Sequence, residues 1–217
     1  MTGDVARVPL PQKTAQSRLI VVARARSAED YDPVLDVLID GGIRSVELTL
    51  TTPGTIERLP SLIERFGDDV DLGIGTVTDT DQLHRAVDAG ARYLVTPITV
   101  PALLAAAAEA GVPLVPGGFT PTELFASWSA GASAVKVFPA GRLGAGYVKD
   151  LRGPFPDIEV VPSGGIDLES AAQWLAAGAA AVSVGGPLLG DAFQGGDLVA
   201  LGERARAFVA VAAGGSA

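Results

Sequence analysis

A chain of 217 residues is long enough for one large domain with a sizeable core, and 27 glycines, 15 prolines and 19% charged residues fit a compact, deeply buried fold better than a disordered one. A formal net charge of −9 without a basic cluster argues against nucleic acid or an anionic membrane surface as partner. The lack of cysteine excludes disulfides, zinc–thiolate sites and thiol nucleophiles, and His84, the sole histidine, reads as a solvated helix residue rather than a zinc ligand or a triad member.

Residues 1–16 carry Asp4 and no apolar core; they read as an N-terminal extension of a single domain spanning 1–217, with no signal peptide. Strands are then expected at 19–24, 45–50, 72–76, 93–97, 114–117, 134–138, 159–163 and 181–185, with helices at 28–39, 55–65, 79–89, 101–110, 122–130 and 168–177 between them. A recurring phrase marks the joints: a helical pattern, a small residue plus glycine, then a short strand. Gly42, Gly90, Gly111, Gly131 and Gly178 occupy the position where a left-handed residue ends a helix. Thr120-Pro121-Thr122-Glu123 has the form of a capping box with proline at the first helical position. The most apolar region, 100–119, is broken by Glu109, Gly111, Pro113 and Pro116, so no membrane span is expected and the chain reads as soluble and cytoplasmic. Strict alternation of strand and helix implies a parallel sheet, and eight repeats imply a closed (β/α)8 TIM barrel. An open doubly wound sheet is the alternative, weakened by the absence of GxGxxG after the first strand.

Side chains alternate across a strand. In "SVELTL" the apolar face is Val46, Leu48 and Leu50, so Glu47 points into the barrel; in "SAVKVFP" Val135 and Val137 face the helices, so Ala134, Lys136 and Phe138 point inward. Arg24 shares an inward face with Ile20 and Val22. A lysine, a glutamate and an arginine are thus expected to converge on the lumen. Charged residues are rarely buried unless paired, and a buried cluster that only fixes the fold is the structural alternative. At the C-terminal mouth of a barrel, where active sites sit, function is the stronger reading. Desolvation favours the neutral amine of a lysine, and a neutral amine facing a ketone forms a Schiff base. "VPSGGID" and "SVGGPL" end the seventh and eighth expected strands; Gly164, Gly165, Gly185 and Gly186 let the backbone approach an anion and Ser163 adds a hydroxyl, the usual phosphate cradle of such barrels.

The motifs "GGIRSVELTLTTP", "GIGTVTD", "VPLVPGGFTPTEL", "VKVFPA", "GPFPDIEVVPSGGI" and "AAGAAAVSVGG" run in order over most of the chain. In them the chain resembles the class I aldolases that cleave 2-keto-3-deoxy-6-phosphogluconate (KDPG) and the related 4-hydroxy-2-oxoglutarate (KHG) aldolases. The resemblance implies a homotrimeric (β/α)8 barrel with neither metal nor cofactor. Lys136 would be the Schiff-base lysine and Glu47 the general acid/base. Thr76 and Pro97 would line the pyruvate pocket beside Phe138, Arg24 would be an active-site arginine, and the Ser163–Gly165 and Gly185–Gly186 loops would hold phosphate. Two positions depart from the family pattern: Thr51 stands where many members have arginine, and Gly186 where serine is common. The expected reaction is cleavage of the phosphorylated sugar acid to pyruvate and glyceraldehyde 3-phosphate. The rivals are a KHG or other 2-keto-3-deoxy sugar acid aldolase, a sugar-phosphate isomerase or epimerase, and a non-catalytic sugar-phosphate sensor.

Overall fold

The computed structural model describes residues 6–214; the expectation for 1–5 lies outside the described residues. The strands are β1 (Leu19–Ala23), β2 (Ser45–Thr49), β3 (Asp71–Gly75), β4 (Leu94–Val95), β5 (Leu114–Val115), β6 (Gly117–Gly118), β7 (Val135–Val137), β8 (Val160–Pro162) and β9 (Val182–Val184). The helices are α1 (Gln12–Ser17), α2 (Tyr31–Asp40), α3 (Thr55–Phe66), α4 (Thr80–Asp88), α5 (Pro101–Ala110), α6 (Pro121–Ser129), α7 (Tyr147–Arg152), α8 (Leu168–Ala176), α9 (Gly186–Leu189) and α10 (Leu198–Ala212).

All pairings between these strands are parallel, in a six-stranded sheet of order β5-β4-β3-β2-β1-β9 and a three-stranded sheet of order β6-β7-β8. The eight expected strands all appear, but the fifth is split. Pro116 has no N–H for a ladder and separates β5, which pairs with β4, from β6, which pairs with β7. An isolated bridge from Ser163 to Ser183 links the end of β8 to β9. The single closed sheet expected from the alternation is therefore present as two parallel sheets meeting at a proline and at one bridge.

The two faces of the strands sort as alternation requires. Leu19, Val21, Ala23, Val46, Leu48, Val135 and Val137 belong to the large apolar cluster shared with the helices. Ile20, Tyr93, Val95, Val115, Ala134, Val161 and Ala181 form a separate inner cluster. The five joint glycines all take positive φ, from 64° at Gly111 to 98° at Gly178, which lets each helix end and the next strand begin at once. Thr120 and Glu123 make the expected capping box, the Glu123 carboxylate accepting from Thr120 N at 2.8 Å. These bonds hold the Glu123 carboxyl below its usual value.

Two findings lie outside the sequence reading. The fifteen-residue helix α10 buries Leu201, Ala205, Phe208 and Val211 and packs on α2 and α8, where a Cβ on Gly41 would stand 2.8 Å from the Ala205 Cβ. The expected extension, 1–16, holds all but the last residue of α1, whose Thr14 is fully buried. Thr14 N and Oγ1 both donate to Asp71 Oδ2, at 2.8 and 3.0 Å, and Ser45 Oγ donates to the Tyr93 hydroxyl at 2.9 Å. A polar side chain every few residues hides this helix from a search for apolar periodicity. No helix among the described residues is long and apolar enough to cross a membrane.

Candidate active site

Lys136 lies in the middle of β7, opposite Gly117 on β6 and Val161 on β8; Glu47 lies in the middle of β2, opposite Val22 on β1 and Gly73 on β3. Glycine as the cross-strand neighbour on β6 and β3 lets other groups close in there: a Cβ on Gly73 would strike the Tyr93 ring, and one on Gly117 the Pro97 backbone at 2.5 Å. Lys136 Nζ stands 3.7 Å from Glu47 Oε1, with the two side chains only 9% and 2% exposed. That separation is within ion-pair range but longer than a hydrogen bond, so the carboxylate stands beside the amine without a direct hydrogen bond to it. The Phe138 ring, 40% exposed, lies with its centroid 5.4 Å from Nζ and caps the lysine from the solvent side.

The lysine, the glutamate and the phenylalanine line one cavity of about 190 Å³, and so do Arg24, Thr76 and Pro97 and the glycine loops Gly164–Gly165 and Gly185–Gly186 with Ser163. All of the expected site residues are thus brought together at the C-terminal ends of the strands. They do not all sit at the same depth. Arg24 lines the same cavity as the lysine and glutamate but at its mouth: β1 ends at Ala23, and Arg24 is exposed with no ion-pair or hydrogen-bond partner among the described residues. An unpaired guanidinium keeps its hydration there. Thr76, the residue after β3, has φ 64°, a left-handed conformation uncommon outside glycine, and such strain concentrates at functional sites. At Gly164, φ 84°, a Cβ would meet the Phe138 ring at 3.0 Å, so the loop can lie flat against the ring only as glycine. Ser163 is 4% exposed, and its hydroxyl donates to Ser183 Oγ at 3.2 Å.

Both departures from the family pattern are visible. Thr51 is exposed, with its hydroxyl 3.1 Å from that of Thr49, and is not a wall of the cavity. Gly186 is exposed, and a Cβ there would meet nothing within 4 Å. Three site residues were not singled out by the sequence. Val22 and Pro187 line the cavity. Gly75, at the end of β3, has its Cα beside the Glu47 side chain: a Cβ built on it would fall onto the Glu47 carboxylate, 2.5 Å from Cγ. Only the alternation that puts Val22 on the Arg24 face gave any signal for these three.

The family model for KDPG and KHG aldolase matches residues 10–203. The chain belongs to that family. Aldolases of the family are carbon–carbon lyases, and this chain is one of them. It is 33% identical over 208 residues to a probable 2-dehydro-3-deoxy-6-phosphogalactonate aldolase of Rhizobium meliloti, covering 95% of each chain. It is similar to the KDPG aldolase of Legionella pneumophila, whose crystal structure holds pyruvate as a covalent carbinolamine: 32% identity, TM-score 0.81, covering 90% of this chain and 95% of that one. It also matches, at 31% identity and TM-score 0.81 over 89% of this chain and 71% of the other, a porous protein cage designed by fusing symmetric oligomeric domains.

Proposed function

We propose that this KDPG/KHG-family aldolase cleaves a 2-keto-3-deoxy-6-phospho sugar acid to pyruvate and glyceraldehyde 3-phosphate through a Schiff base on Lys136. The observation that carries the reading is the buried pair of Lys136 and Glu47, 3.7 Å apart on the floor of the cavity. The Lys136 amine adds to the C2 ketone, and loss of water from the carbinolamine gives an iminium. Glu47 takes the proton of the C4 hydroxyl, the C3–C4 bond breaks, and its electron pair moves into the iminium to give an enamine while the aldehyde leaves. Return of the proton to C3 and addition of water release pyruvate and restore the amine. Positioned acid–base groups supply about 10²–10⁴-fold in such steps. The lysine provides the electron sink that a metal or pyridoxal would otherwise supply, so the reaction needs no cofactor. Glu47 is hemmed in by Gly75 and Lys136 rather than by solvent, which favours proton transfer to substrate over exchange with water.

The glycine loops and Ser163 hold the phosphate in this reading, with Arg24 at the mouth. The gluconate and galactonate substrates differ only in configuration at C4 and give the same two products. The Rhizobium meliloti relative, matched over 95% of both chains, favours the galactonate epimer as the second reading. We also propose that the two sheets act as one closed (β/α)8 barrel, joined through Pro116 and the Ser163–Ser183 bridge. Likeness to a domain used for its symmetric oligomer supports a homotrimer. A phosphorylated sugar acid does not cross a membrane unaided, which supports a cytoplasmic site of action.

Incubation with pyruvate and borohydride followed by peptide mass spectrometry tests the reading. A stable adduct on Lys136, lost in Lys136→Ala together with all turnover, is expected; Lys13 on α1 and Lys149 on α7 lie away from the cavity. Turnover without an adduct, or turnover abolished by a chelator and restored by a metal, overturns it. Comparing kcat/KM on the two epimers decides between the substrates.

A further inference from the structure

A second cavity, of about 330 Å³, opens beside the first and shares the walls Val22, Arg24, Gly185 and Gly186; its remaining walls are Leu189, Gly190, Phe193 and Gln194. The chain builds it directly after β9. Gly185 and Gly186 lead into α9, and the chain returns through a short 3-10 turn, Ala192–Gln194. Gly186 is a wall of both lobes and carries no side chain to narrow either: a Cβ at that position would meet nothing within 4 Å.

The inner lobe alone, about 190 Å³, is below the range of about 300–1,000 Å³ that ligand sites occupy; the outer lobe brings the site into that range. The walls of the outer lobe are chemically distinct. Leu189 is buried, and Phe193 is half-buried with its ring edge-on to Tyr31 at 6.0 Å, which fixes it in place. Gln194 is exposed, and Arg24 is the one charged side chain among the lining residues. Leucine and phenylalanine favour hydrocarbon, whereas a small, fully hydroxylated and phosphorylated aldehyde offers them nothing to bury.

We propose that this outer lobe receives the aldehyde half of the reaction and admits aldehydes whose hydrocarbon chain is longer than the three carbons of glyceraldehyde 3-phosphate. The inference rests on the aldolase reading above. In the synthetic direction the enamine carbon C3 of Lys136-bound pyruvate forms a bond to the aldehyde carbon. The aldehyde oxygen takes up the proton from Glu47, and hydrolysis of the iminium releases a 4-hydroxy-2-keto acid. No oxidant or further reactant is needed.

The test is aldol addition of pyruvate to glyoxylate, to glyceraldehyde 3-phosphate and to hexanal, with products quantified by mass spectrometry, for the unmodified chain and for Gly186→Leu and Gln194→Trp. Gln194 is exposed and Gly186 is not at positive φ, so neither substitution threatens folding. The unmodified chain is expected to form the nine-carbon 4-hydroxy-2-keto acid from hexanal. Each substitution should lower kcat/KM for hexanal about 10-fold more than for glyoxylate, the scale of one methylene in an apolar pocket. Formation of the Lys136–pyruvate adduct and the glyoxylate product with no hexanal product overturns the lobe assignment alone, as does an equal loss for all three aldehydes. Absence of the pyruvate adduct overturns the aldolase reading and this inference with it.

Discussion

Glu47 has the Lys136 amine on one side and the bare Cα of Gly75 on the other. The first neighbour was legible in the sequence, because a charge inside an alternating apolar strand conflicts with burial and demands a partner. The second was not, since a glycine within a strand signals only that something approaches closely. The two neighbours separate into two predictions. Glu47→Gln keeps size and removes the base; turnover should fall by about 10²–10⁴-fold while a borohydride-trappable pyruvate adduct still forms on Lys136. Near-full turnover in that variant would make Glu47 a structural counter-ion only. Gly75→Ala asks nothing unusual of the backbone, because Gly75 is not at positive φ. Its methyl group would take the place of the Glu47 carboxylate, so kcat should fall toward the Glu47→Gln value with the adduct retained. Gly73→Ala is the comparison: its Cβ would strike the buried Tyr93 ring, 2.6 Å from Cε1, and should show as about 1–3 kcal/mol of lost stability in urea unfolding. Unaltered turnover in Gly75→Ala would show that the carboxylate finds its place without that space.

The strands were legible as elements because the inner and outer faces carry different residue types, and the helix ends because glycine punctuates them. The ladder was not, since Pro116 breaks pairing without breaking the apolar run. Nor was α10, which follows the last strand and so leads into no further glycine-and-strand joint. What clasps neighbouring helices also lies beyond a one-dimensional pattern. Asp32 at the start of α2 accepts from Arg58 and Arg65 of α3, both at 2.6 Å, and Arg65 also reaches Asp36 at 2.7 Å. Partial burial pushes the Asp32 carboxyl up, but the two guanidinium bonds outweigh it and hold it below its usual value. Folding therefore favours the ionised form. The resulting stability is fully present above the ordinary carboxylate value of about 3.9 and is lost as pH falls through the lower, folded one. With both arginines substantially exposed the clasp contributes on the order of 1 kcal/mol or less. Asp32→Asn should lose that at pH 7 and show a shallower decline of stability between pH 5 and the folded-state value, read from urea unfolding at stepped pH. An acid limb identical to that of the unmodified chain would place the acid sensitivity elsewhere.

At the scale of the whole molecule the two ends of the strands do different work. The C-terminal ends carry the cavity with Lys136 and Glu47. The N-terminal ends are closed by α1, where Thr14, Asp71, Ser45 and Tyr93 form a buried hydrogen-bonded chain, with Leu10 packed against the inner apolar cluster. Burial pushes the Tyr93 hydroxyl well above the usual phenol value, so it serves as a neutral member of this chain. In barrels of parallel strands the N-terminal face is the one associated with stability and the C-terminal face with chemistry. Thr14→Val tests that division here. The swap keeps the shape of the side chain and the Thr14 N–H bond to Asp71, but removes the hydroxyl that donates to Asp71 and lies 2.8 Å from Ser45 Oγ. Leaving buried acceptors short of a donor costs about 1–3 kcal/mol, which should appear as a lower urea midpoint with an unchanged slope. kcat and KM measured well below the unfolding transition should stay within twofold of the unmodified chain. The route by which they would not is specific: Tyr93 sits beside Gly73, directly across the ladder from Glu47. A fall in kcat comparable to that of Glu47→Gln would mean that the plug positions the carboxylate through Tyr93, and that stability and chemistry are not divided between the two ends.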